Sequence, residues 1–398
     1  MVFLYSKMAI VCIRQFVLCK VENILLNFIS IYYIISMGSC IMKVIITAGG
    51  TGGHIYPALA IIDKIRELEP KSEFLYVGTT TRMEKDIVPA LGYKYIGIEM
   101  YGLSKNVFRD AKVMFLILKN KAKMKRLMRE FDPDVVIGAG GYVTFPVIMA
   151  AKELGIKTFI HEQNSIPGKS NRMLARMVDK IGVSFEDSKH YFDEKKVVFT
   201  GNPCSERALS ISKISREKFG LSLKKKFVLM VQGSLGSTSV NGKLKDFLSS
   251  IDDKDYEVLY VTGKDSYEEF SKNKFSKNVF LVPYVENLAG LMKDADLIVS
   301  RAGASSISEI IALKKLAILI PSPYVANNHQ YFNALSCANN RACVMIEEDS
   351  LTANILEHEI DEILGNLEMQ INMRLNLSKM QKNDSSTVIY ETLKGMID

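Results

Sequence analysis

A glycine-rich loop that ends in a histidine is the part of this sequence that points most clearly to chemistry. The segment Gly49–His54 reads Gly-Gly-Thr-Gly-Gly-His and follows the apolar run Val44–Ala48. Glycines let the backbone turn sharply so that its N–H groups face phosphate oxygens, and a helix that begins there adds a favourable dipole. The loop lacks the Gly-Lys-Ser/Thr of ATP-binding loops, and the third glycine of the dinucleotide fingerprint falls on Ile55. The pattern therefore favours a diphosphate-bearing ligand other than ATP or NAD.

Two more polar turns follow strands in the same half of the chain. Gly140–Tyr142 (Gly-Gly-Tyr) comes after the apolar run Val135–Gly138, and His161–Asn164 (His-Glu-Gln-Asn) comes after Thr158–Ile160. Ligands of open α/β sheets bind outside the carboxyl ends of the strands, so both turns are candidates for one site.

The second half of the chain carries its own candidate anion pocket. Gly233-Ser234 follows a strand but is a weak signal alone, because Gly-Ser is common in turns. Ser300–Glu309 follows the strand Leu297–Val299 and opens a helix with exposed N–H groups. Glu309 lies about one turn into that helix, where an acid accepts hydrogen bonds from ribose hydroxyls.

Both candidate binding segments of the second half have a purely structural alternative. Ser305 and Ser308 could instead form a capping box at the start of their helix. The amides of Asn327–Gln330 suit sugar hydroxyls, and the alternative is simple helix capping by asparagine.

The sequence gives little support to a metal site. Its five histidines form no HExxH pair. Three Asp-x-Asp triplets resemble the motif of metal-dependent glycosyltransferases, but all precede a strand, so we interpret them as solvated turns: Asp132–Asp134, Asp253–Asp255 and Asp294–Asp296. We expect no metal and no cofactor.

Short apolar runs alternate with helix-length amphipathic segments from Met42 onward. This alternation predicts parallel β-sheets covered on both faces. The predicted strands of the first half are Val44–Ala48, Phe74–Val77, Val135–Gly138, Thr158–Ile160 and Val197–Phe199, separated by helices such as Pro57–Leu68 and Arg82–Leu91. The predicted strands of the second half are Phe227–Val231, Val258–Val261, Val279–Val282, Leu297–Val299, Ala317–Ile320 and Val344–Ile346.

At 398 residues the chain is long enough for two domains. We expect an extension at 1–41 that is foreign to the rest, a first domain at 42–203, a hinge near Cys204, and a second domain at 204–375. The helical segment 376–398 either packs on the second domain or crosses back to the first. Six cysteines without close CxxC pairs indicate a reducing cytoplasm.

A basic segment suggests an anionic partner surface. Lys105–Arg129 holds nine Lys or Arg and one acid, Asp110, around the apolar run Val113–Leu118. Such a helix can lie on an anionic membrane, with Leu103, Val107 and Phe108 entering lipid. The alternative is a surface helix that packs on the sheet.

Taken together, these motifs resemble those of the MurG family, in the family's order, from Met42 nearly to the C-terminus. The motifs are Gly49–His54, Arg82–Glu84, Gly140–Tyr142, His161–Asn164, Gly201–Pro203 and Gly303–Glu309. The resemblance implies a GT-B fold, in which two Rossmann-like parallel-sheet domains face each other across a cleft. It also implies transfer of N-acetylglucosamine (GlcNAc) from UDP-GlcNAc to undecaprenyl-diphosphate-MurNAc-pentapeptide in peptidoglycan synthesis, by a peripheral protein on the cytoplasmic side of the cell membrane, with no nucleic-acid partner.

The resemblance also assigns substrate contacts. Donor contacts carry over onto Thr51, Gly52, Gly53, Asn164, Ser234, Val285, Ala304, Ser305, Ser306, Glu309 and Gln330, and acceptor-diphosphate contacts onto the glycine turns that include Gly140 and Gly141. Tyr142 and Ser205 are further expected substrate contacts. Two positions depart from the family pattern. Leu235 stands where a glutamine is usual, and Ser205 where an arginine is common, with Arg207 as a possible replacement.

An inverting transfer needs a base for the acceptor hydroxyl. His54 is the first candidate, because a helix start lowers the pKa of an imidazole, and Glu162 is the second. His54 as a residue that only positions the acceptor stays open. Rival functions are a UDP-GlcNAc 2-epimerase, a glycolipid synthase that uses diacylglycerol, and a non-catalytic sugar-nucleotide-binding protein of the cell-wall machinery.

Overall fold

The computed structural model describes residues 41–102, 106–232, 238–382 and 384–398. The expectations for residues 1–40, Leu103 and the Gly233–Gly236 turn lie outside these ranges. The strands are β1 Lys43–Thr47, β2 Glu73–Thr79, β3 Lys94–Ile98, β4 Val135–Gly138, β5 Lys157–Glu162, β6 Lys180–Val183, β7 Val197–Phe199, β8 Lys226–Val231, β9 Tyr256–Val261, β10 Val279–Val282, β11 Leu297–Ser300, β12 Leu316–Leu319 and β13 Val344–Met345.

Helices connect these strands throughout the described ranges. They are α1 Gly52–Leu68, α2 Glu84–Ala90, α3 Val107–Phe131, α4 Thr144–Glu153, α5 Lys169–Leu174, α6 Cys204–Ser210, α7 Thr238–Ser249, α8 Lys264–Phe270, α9 Leu288–Met292, α10 Ala304–Ala312, α11 His329–Asn339, α12 Ala353–Gly365, α13 Leu367–Met380 and α14 Ser385–Ile397, with short 3-10 turns at Glu186–Tyr191, Arg216–Phe219, Ala326–Asn328 and Glu348–Ser350.

The strands form two parallel sheets, as the alternating pattern predicts. The first has the order β3-β2-β1-β4-β5-β6-β7 and the second the order β10-β9-β8-β11-β12-β13. Each sheet reverses its winding direction between two strands, β1 and β4 in the first and β8 and β11 in the second. Such switch points open a crevice at the carboxyl ends of the strands. The predicted fold class, two Rossmann-like domains with parallel sheets, is confirmed.

Two strands, β3 and β6, were not predicted from the sequence. β3 lies at the edge of its sheet and its side chains are mostly half-exposed, so Lys94–Ile98 is not a continuous apolar run. β6 has only four residues, including Gly182, and pairs between β5 and β7. Both segments form strands because they pair with neighbouring strands, and the composition of a short segment does not indicate such pairing.

The last helix, α14, packs against the first domain. Ile389 and Leu393 are fully buried in the core that covers β1 and α1. The Tyr390 hydroxyl donates to Glu69 at 2.8 Å, and the Ser386 amide donates to Glu206 on α6 at 2.6 Å. The C-terminus thus ties the second half of the chain to the first.

One Asp-x-Asp triplet is not the solvated turn that the sequence suggests. Asp294 is buried and pairs with Arg216 at 3.0 Å and Lys213 at 2.6 Å, while Asp296 accepts from the Phe227 amide at 2.8 Å. Burial alone would raise the pKa of Asp294, but hydrogen bonds from Arg216 and Lys213 outweigh it and lower that pKa to about 2. This triplet anchors the amino ends of β8 and β11, far from the carboxyl edge of the sheet.

Candidate active site

The glycine loop after β1 and the glycine turn after β4 touch each other at the switch point of the first sheet. The Gly49 amide donates to the Gly140 carbonyl at 3.2 Å. A Cβ added to Gly141, whose φ is +90°, would lie 2.4 Å from the Gly49 carbonyl oxygen. Only glycine permits both this left-handed backbone and so close an approach. The structure therefore joins two of the predicted turns into one wall of the crevice.

Glu84 supports this wall from beneath. Its side chain is fully buried and accepts hydrogen bonds from the Gly50 amide at 3.2 Å, the Thr79 amide at 3.0 Å and the Thr79 hydroxyl at 2.6 Å. A Cβ on Gly49 would come within 2.5 Å of the same carboxylate. Sequence reasoning gave Glu84 no role of its own, because Arg82, Lys85 and Asp86 beside it make the segment look like an ordinary charged helix start.

His54 lies on this wall as the third residue of α1. Its half-buried ring places Nδ1 3.2 Å from Oε1 of Gln163, the third residue of the His-Glu-Gln-Asn segment. Burial lowers the pKa of His54, the charge of Glu162 and the bond to Gln163 oppose that effect, and His329 of the second domain adds to it. The net result favours the neutral imidazole, which is the form a general base requires.

Glu162 is in a different situation. It is buried, and its two oxygens accept from the Asn164 amide at 2.9 Å, the Asn164 side chain at 3.1 Å, the Gly168 amide at 3.0 Å and the Asn171 side chain at 2.9 Å. These four donors occupy the lone pairs of its two oxygens. This geometry suits a fixed negative charge beside His54 better than a group that takes a proton from a substrate.

The two domains meet where Asn333 of α11 reaches the first domain. This fully buried amide accepts from the Ser165 amide at 2.9 Å and the Ser165 hydroxyl at 3.0 Å, and it donates to Asn164 and to the Ala302 carbonyl, both at 3.2 Å. Asn164, which is predicted to contact UDP-GlcNAc, is therefore bonded to Glu162 on one side and to Asn333 on the other. Sequence reasoning missed Asn333, because its partners lie 168 and 169 residues away.

We expect Asn333→Ala to weaken the contact between the domains. The substitution leaves buried groups of Ser165 and Ala302 without their partner, which costs roughly 2–4 kcal/mol of unfolding free energy. Chemical denaturation measures this loss, with Asn340→Ala as the control, because Asn340 is exposed at the end of the same helix. Equal stability of the two variants would contradict the assignment.

The second-domain segment at Ala304 forms a helix start without a side-chain cap. α10 begins at Ala304 after Gly303, and no side chain caps it, so the alternative of a capping box built from Ser305 and Ser308 is not found. Ser308 instead donates to the Ala304 carbonyl at 2.8 Å, one turn back. Serine hydroxyls in a helix often bond backward in this way. The first N–H groups of the helix therefore remain available for an anion.

Glu309 lies in the crevice between the domains. Burial raises the pKa of Glu309 to about 7, and the positive charge of Arg207 opposes this rise. The Arg207 guanidinium lies 5.7 Å from the centre of the Tyr56 ring, which belongs to α1 of the first domain. Tyr56 in turn bonds to Tyr284 of the second domain, and burial raises its pKa. A half-buried acid with a nearby cation in a cleft is typical of a functional site.

The Asn327–Gln330 segment does not cap its helix with asparagine. Asn327 and Asn328 both have left-handed backbone conformations, with φ of 54° and 50°, and Asn328 makes no side-chain cap. Such paired left-handed residues store strain that is typical of binding segments. Gln330 accepts from the Ser322 amide at 2.9 Å, which fixes its side chain.

The other residues predicted to contact substrate differ in their exposure to solvent. Thr51 and Gly53 are exposed at the start of α1, Gly52 and Ser306 are half-buried, and Tyr142 is exposed. Ser205 and Val285 are buried, and Ser234 lies outside the described residues. In the described part of the chain, no group of three or more His, Cys, Asp or Glu residues could hold a metal ion.

The two halves of the chain match models of two domains of the same protein family. Residues 44–183 match the glycosyltransferase family 28 N-terminal domain, and residues 227–389 match the family's C-terminal domain. A relative from Bacillus cytotoxicus is 42% identical over 362 aligned residues, covering 89% of this chain and 100% of the relative. It is named as a UDP-N-acetylglucosamine N-acetylmuramyl-(pentapeptide) pyrophosphoryl-undecaprenol N-acetylglucosamine transferase, as is a relative from Bacillus pumilus, 42% identical over 360 residues, with 89% and 99% covered.

Solved structures share this architecture. MurG of Acinetobacter baumannii superposes with a TM-score of 0.71 at 25% identity, covering 89% of this chain and 100% of that one. A UDP-GlcNAc 2-epimerase from Neisseria meningitidis superposes with a TM-score of 0.64 at 15% identity and the same coverage. The second likeness shows the fold alone, so it does not support the epimerase alternative.

Proposed function

The chain belongs to glycosyltransferase family 28, and from that premise we propose that it moves GlcNAc from UDP-GlcNAc to the C4 hydroxyl of MurNAc in undecaprenyl-diphosphate-MurNAc-pentapeptide. The observation that carries this proposal is the full-length relation to curated transferases at 42% identity. In the reaction, the acceptor oxygen forms a bond to C1 of GlcNAc on the face opposite the diphosphate. The bond from C1 to the diphosphate oxygen breaks, and UDP leaves.

In this proposal His54 acts as the base. A neutral imidazole at the wall of the crevice takes the proton of the C4 hydroxyl as the new bond forms, and the fixed charge of Glu162 stabilises the resulting imidazolium. The amides of Gly49 and Gly50 are already bonded to Gly140 and Glu84, so the acceptor diphosphate would take the N–H groups of the residues that follow in each glycine turn, at Thr51–Gly53 and at Gly141. His54 therefore lies between the bound acceptor and the donor sugar.

The second domain holds the donor. The start of α10 at Ala304–Ser306 points N–H groups at the UDP diphosphate and stabilises the charge that develops as UDP leaves. Glu309 accepts hydrogen bonds from the ribose hydroxyls, and Gln330 and Asn164 contact the sugar. Arg207, placed beside Glu309 and Tyr56, supplies a cation near the position where Ser205 replaces the family's arginine.

UDP-GlcNAc affinity should rise with pH through the range in which Glu309 titrates. The pKa of free Glu309 is about 7, and ribose hydroxyls bond to the carboxylate form, so binding lowers that pKa and releases a proton. Affinity is therefore weak near pH 5.5 and approaches its limit above pH 8. Isothermal titration in buffers of different ionisation enthalpy measures the released proton, and Glu309→Gln should remove the dependence. Proton uptake on binding would refute the proposed hydrogen bonds between the Glu309 carboxylate and the ribose hydroxyls.

The membrane surface is the remaining proposed partner. Val107, Phe108 and Phe115 of α3 are 80%, 89% and 64% exposed, on a helix rich in lysine and arginine. Exposed aromatic residues beside cations suit the interface of an anionic bilayer, where the acceptor's lipid resides. None of the helices in the described ranges combines the length and apolarity that a bilayer crossing requires. We propose peripheral binding to the cytoplasmic side of the membrane through this surface.

Phe108→Ser should weaken binding to vesicles that contain anionic lipid. Loss of one buried aromatic side chain costs roughly 1.5–3 kcal/mol, or about tenfold or more in affinity. Co-sedimentation with vesicles measures the change. The control is Leu367→Ser, which removes a side chain 68% exposed on α13 of the second domain. Equal losses in both variants would show that α3 is not the binding surface.

The transfer itself is tested by incubating the protein with UDP-GlcNAc and lipid-linked MurNAc-pentapeptide. UDP release that depends on this acceptor, with a disaccharide product, supports the proposal. Epimerisation of UDP-GlcNAc without acceptor would identify an epimerase, transfer to diacylglycerol a glycolipid synthase, and binding without turnover a non-catalytic protein. Each of these outcomes would replace the proposed function.

A further inference from the structure

A chain of four hydrogen-bonding groups runs behind His54. It begins at the Gly201 carbonyl oxygen, 3.0 Å from Nε2 of His161. Nδ1 of His161 lies 3.1 Å from Nε2 of Gln163, and Oε1 of Gln163 lies 3.2 Å from Nδ1 of His54. Both His161 and Gln163 are buried. The direction of every bond in this chain follows from two backbone acceptors, the carbonyl oxygens of Gly201 and Ala139.

His161 has one possible arrangement of its proton. A carbonyl oxygen only accepts, so Nε2 of His161 must carry the hydrogen that faces Gly201. Burial lowers the pKa of His161 to about 4, so the ring is neutral near pH 7 and its Nδ1 keeps a lone pair. That lone pair requires a donor from Gln163.

Gln163 is therefore oriented from two sides. Its Nε2 donates to Nδ1 of His161 and also to the Ala139 carbonyl at 2.9 Å, and neither of these acceptors has a hydrogen that it could donate to the amide oxygen. The amide oxygen must then face His54, where it can only accept.

We infer that Gln163 is a positioning residue that holds neutral His54 as the Nδ1–H tautomer, so that the lone pair of Nε2 faces the crevice. This inference rests on the proposed role of His54 as the base. Neutral imidazole in water prefers the opposite tautomer, whose basic nitrogen would here point at Gln163 and away from the substrate. The bond to Gln163 reverses this preference before substrate binds.

The two neighbouring histidines should therefore show opposite tautomers. Two-bond proton–nitrogen spectra of histidine-labelled protein distinguish them, and His54→Asn and His161→Asn assign the signals among the five histidines. We expect Nδ1–H for His54 and Nε2–H for His161 above the pKa of His54. A wild-type His54 in the Nε2–H form would overturn the inference, whatever the activity of the variants.

Two variants of Gln163 separate positioning from simple structural support. Gln163→Met keeps the length of the side chain and removes its bonds, so we expect loss of the Nδ1–H preference and at least a tenfold fall in kcat, about the lower end of what a base contributes. Gln163→Glu keeps an oxygen opposite Nδ1 of His54, so it should retain the tautomer. The UDP-GlcNAc affinity of both should match wild type.

The pH profile of kcat gives an independent readout. The titratable groups that face His54 are Glu162 on its own domain and His329 from the second domain. Gln163→Glu adds a negative charge to this set, so the acidic limb of the profile should move to higher pH. The inference would be refuted if Gln163→Glu left the pH profile unchanged and Gln163→Met kept the kcat of wild type. Absence of transfer by wild type would refute the proposed function and leave the tautomer measurement to decide this one.

Discussion

His54→Ala should lower kcat by about 100-fold or more while UDP-GlcNAc binding stays close to wild type. The side chain proposed to take the acceptor's proton disappears, whereas the donor contacts at Ala304 and Glu309 belong to the second domain and are untouched. Steady-state kinetics with the lipid-linked acceptor give kcat, and titration with UDP-GlcNAc gives affinity. The separation of these two quantities distinguishes a base from a residue that binds the donor.

His358→Ala is the matched control for this experiment, because His358 is exposed on α12. It should behave as wild type. If His54→Ala raises the acceptor KM but leaves kcat intact, His54 only positions the acceptor, which is the alternative that the sequence leaves open. If turnover is near normal in every respect, His54 has no part in the chemistry, and Glu162 must be tested in its place.

The sequence predicts the sheet and its glycine turns well, because these features are local. β4, β7 and β10 have the predicted bounds, and the turns after β1, β4 and β5 were expected to share one edge. Apolar runs report strands that are buried on both faces, and glycine at a strand end reports a close approach. β3 and β6 carry neither signal and were missed.

The supports of the site could not be predicted in the same way. Asn333 bonds across the domain boundary to Ser165, and nothing near either residue indicates the other. The roles of Glu84 and Gln163 depend on which backbone groups face them after folding. The partners of Glu162 are close to it in sequence, but only the folded structure shows that four hydrogen bonds already occupy its oxygens.

The turn at Gly140 offers the second large effect. Gly140 has φ of +108°, and a Cβ added there would lie 2.3 Å from Nδ1 of His54. Gly140→Ala must therefore displace the imidazole ring or the turn, which breaks the bond between His54 and Gln163. We expect kcat to fall by roughly tenfold to 100-fold, because a base that is misplaced by about 1 Å loses most of its benefit. UDP-GlcNAc binding to the second domain should be unaffected.

Gly155→Ala separates this contact from the cost of backbone strain. Gly155 has a comparable left-handed φ of +74°, and a Cβ there would meet nothing within 4 Å. Both variants lose roughly 1 kcal/mol of stability from the strained backbone, and Gly140→Ala should lose somewhat more because of its clash with His54, which a thermal unfolding experiment measures. Only Gly140→Ala should lose turnover. If Gly155→Ala loses as much, the effect comes from strain in the sheet, and the contact between Gly140 and His54 has no special part in catalysis.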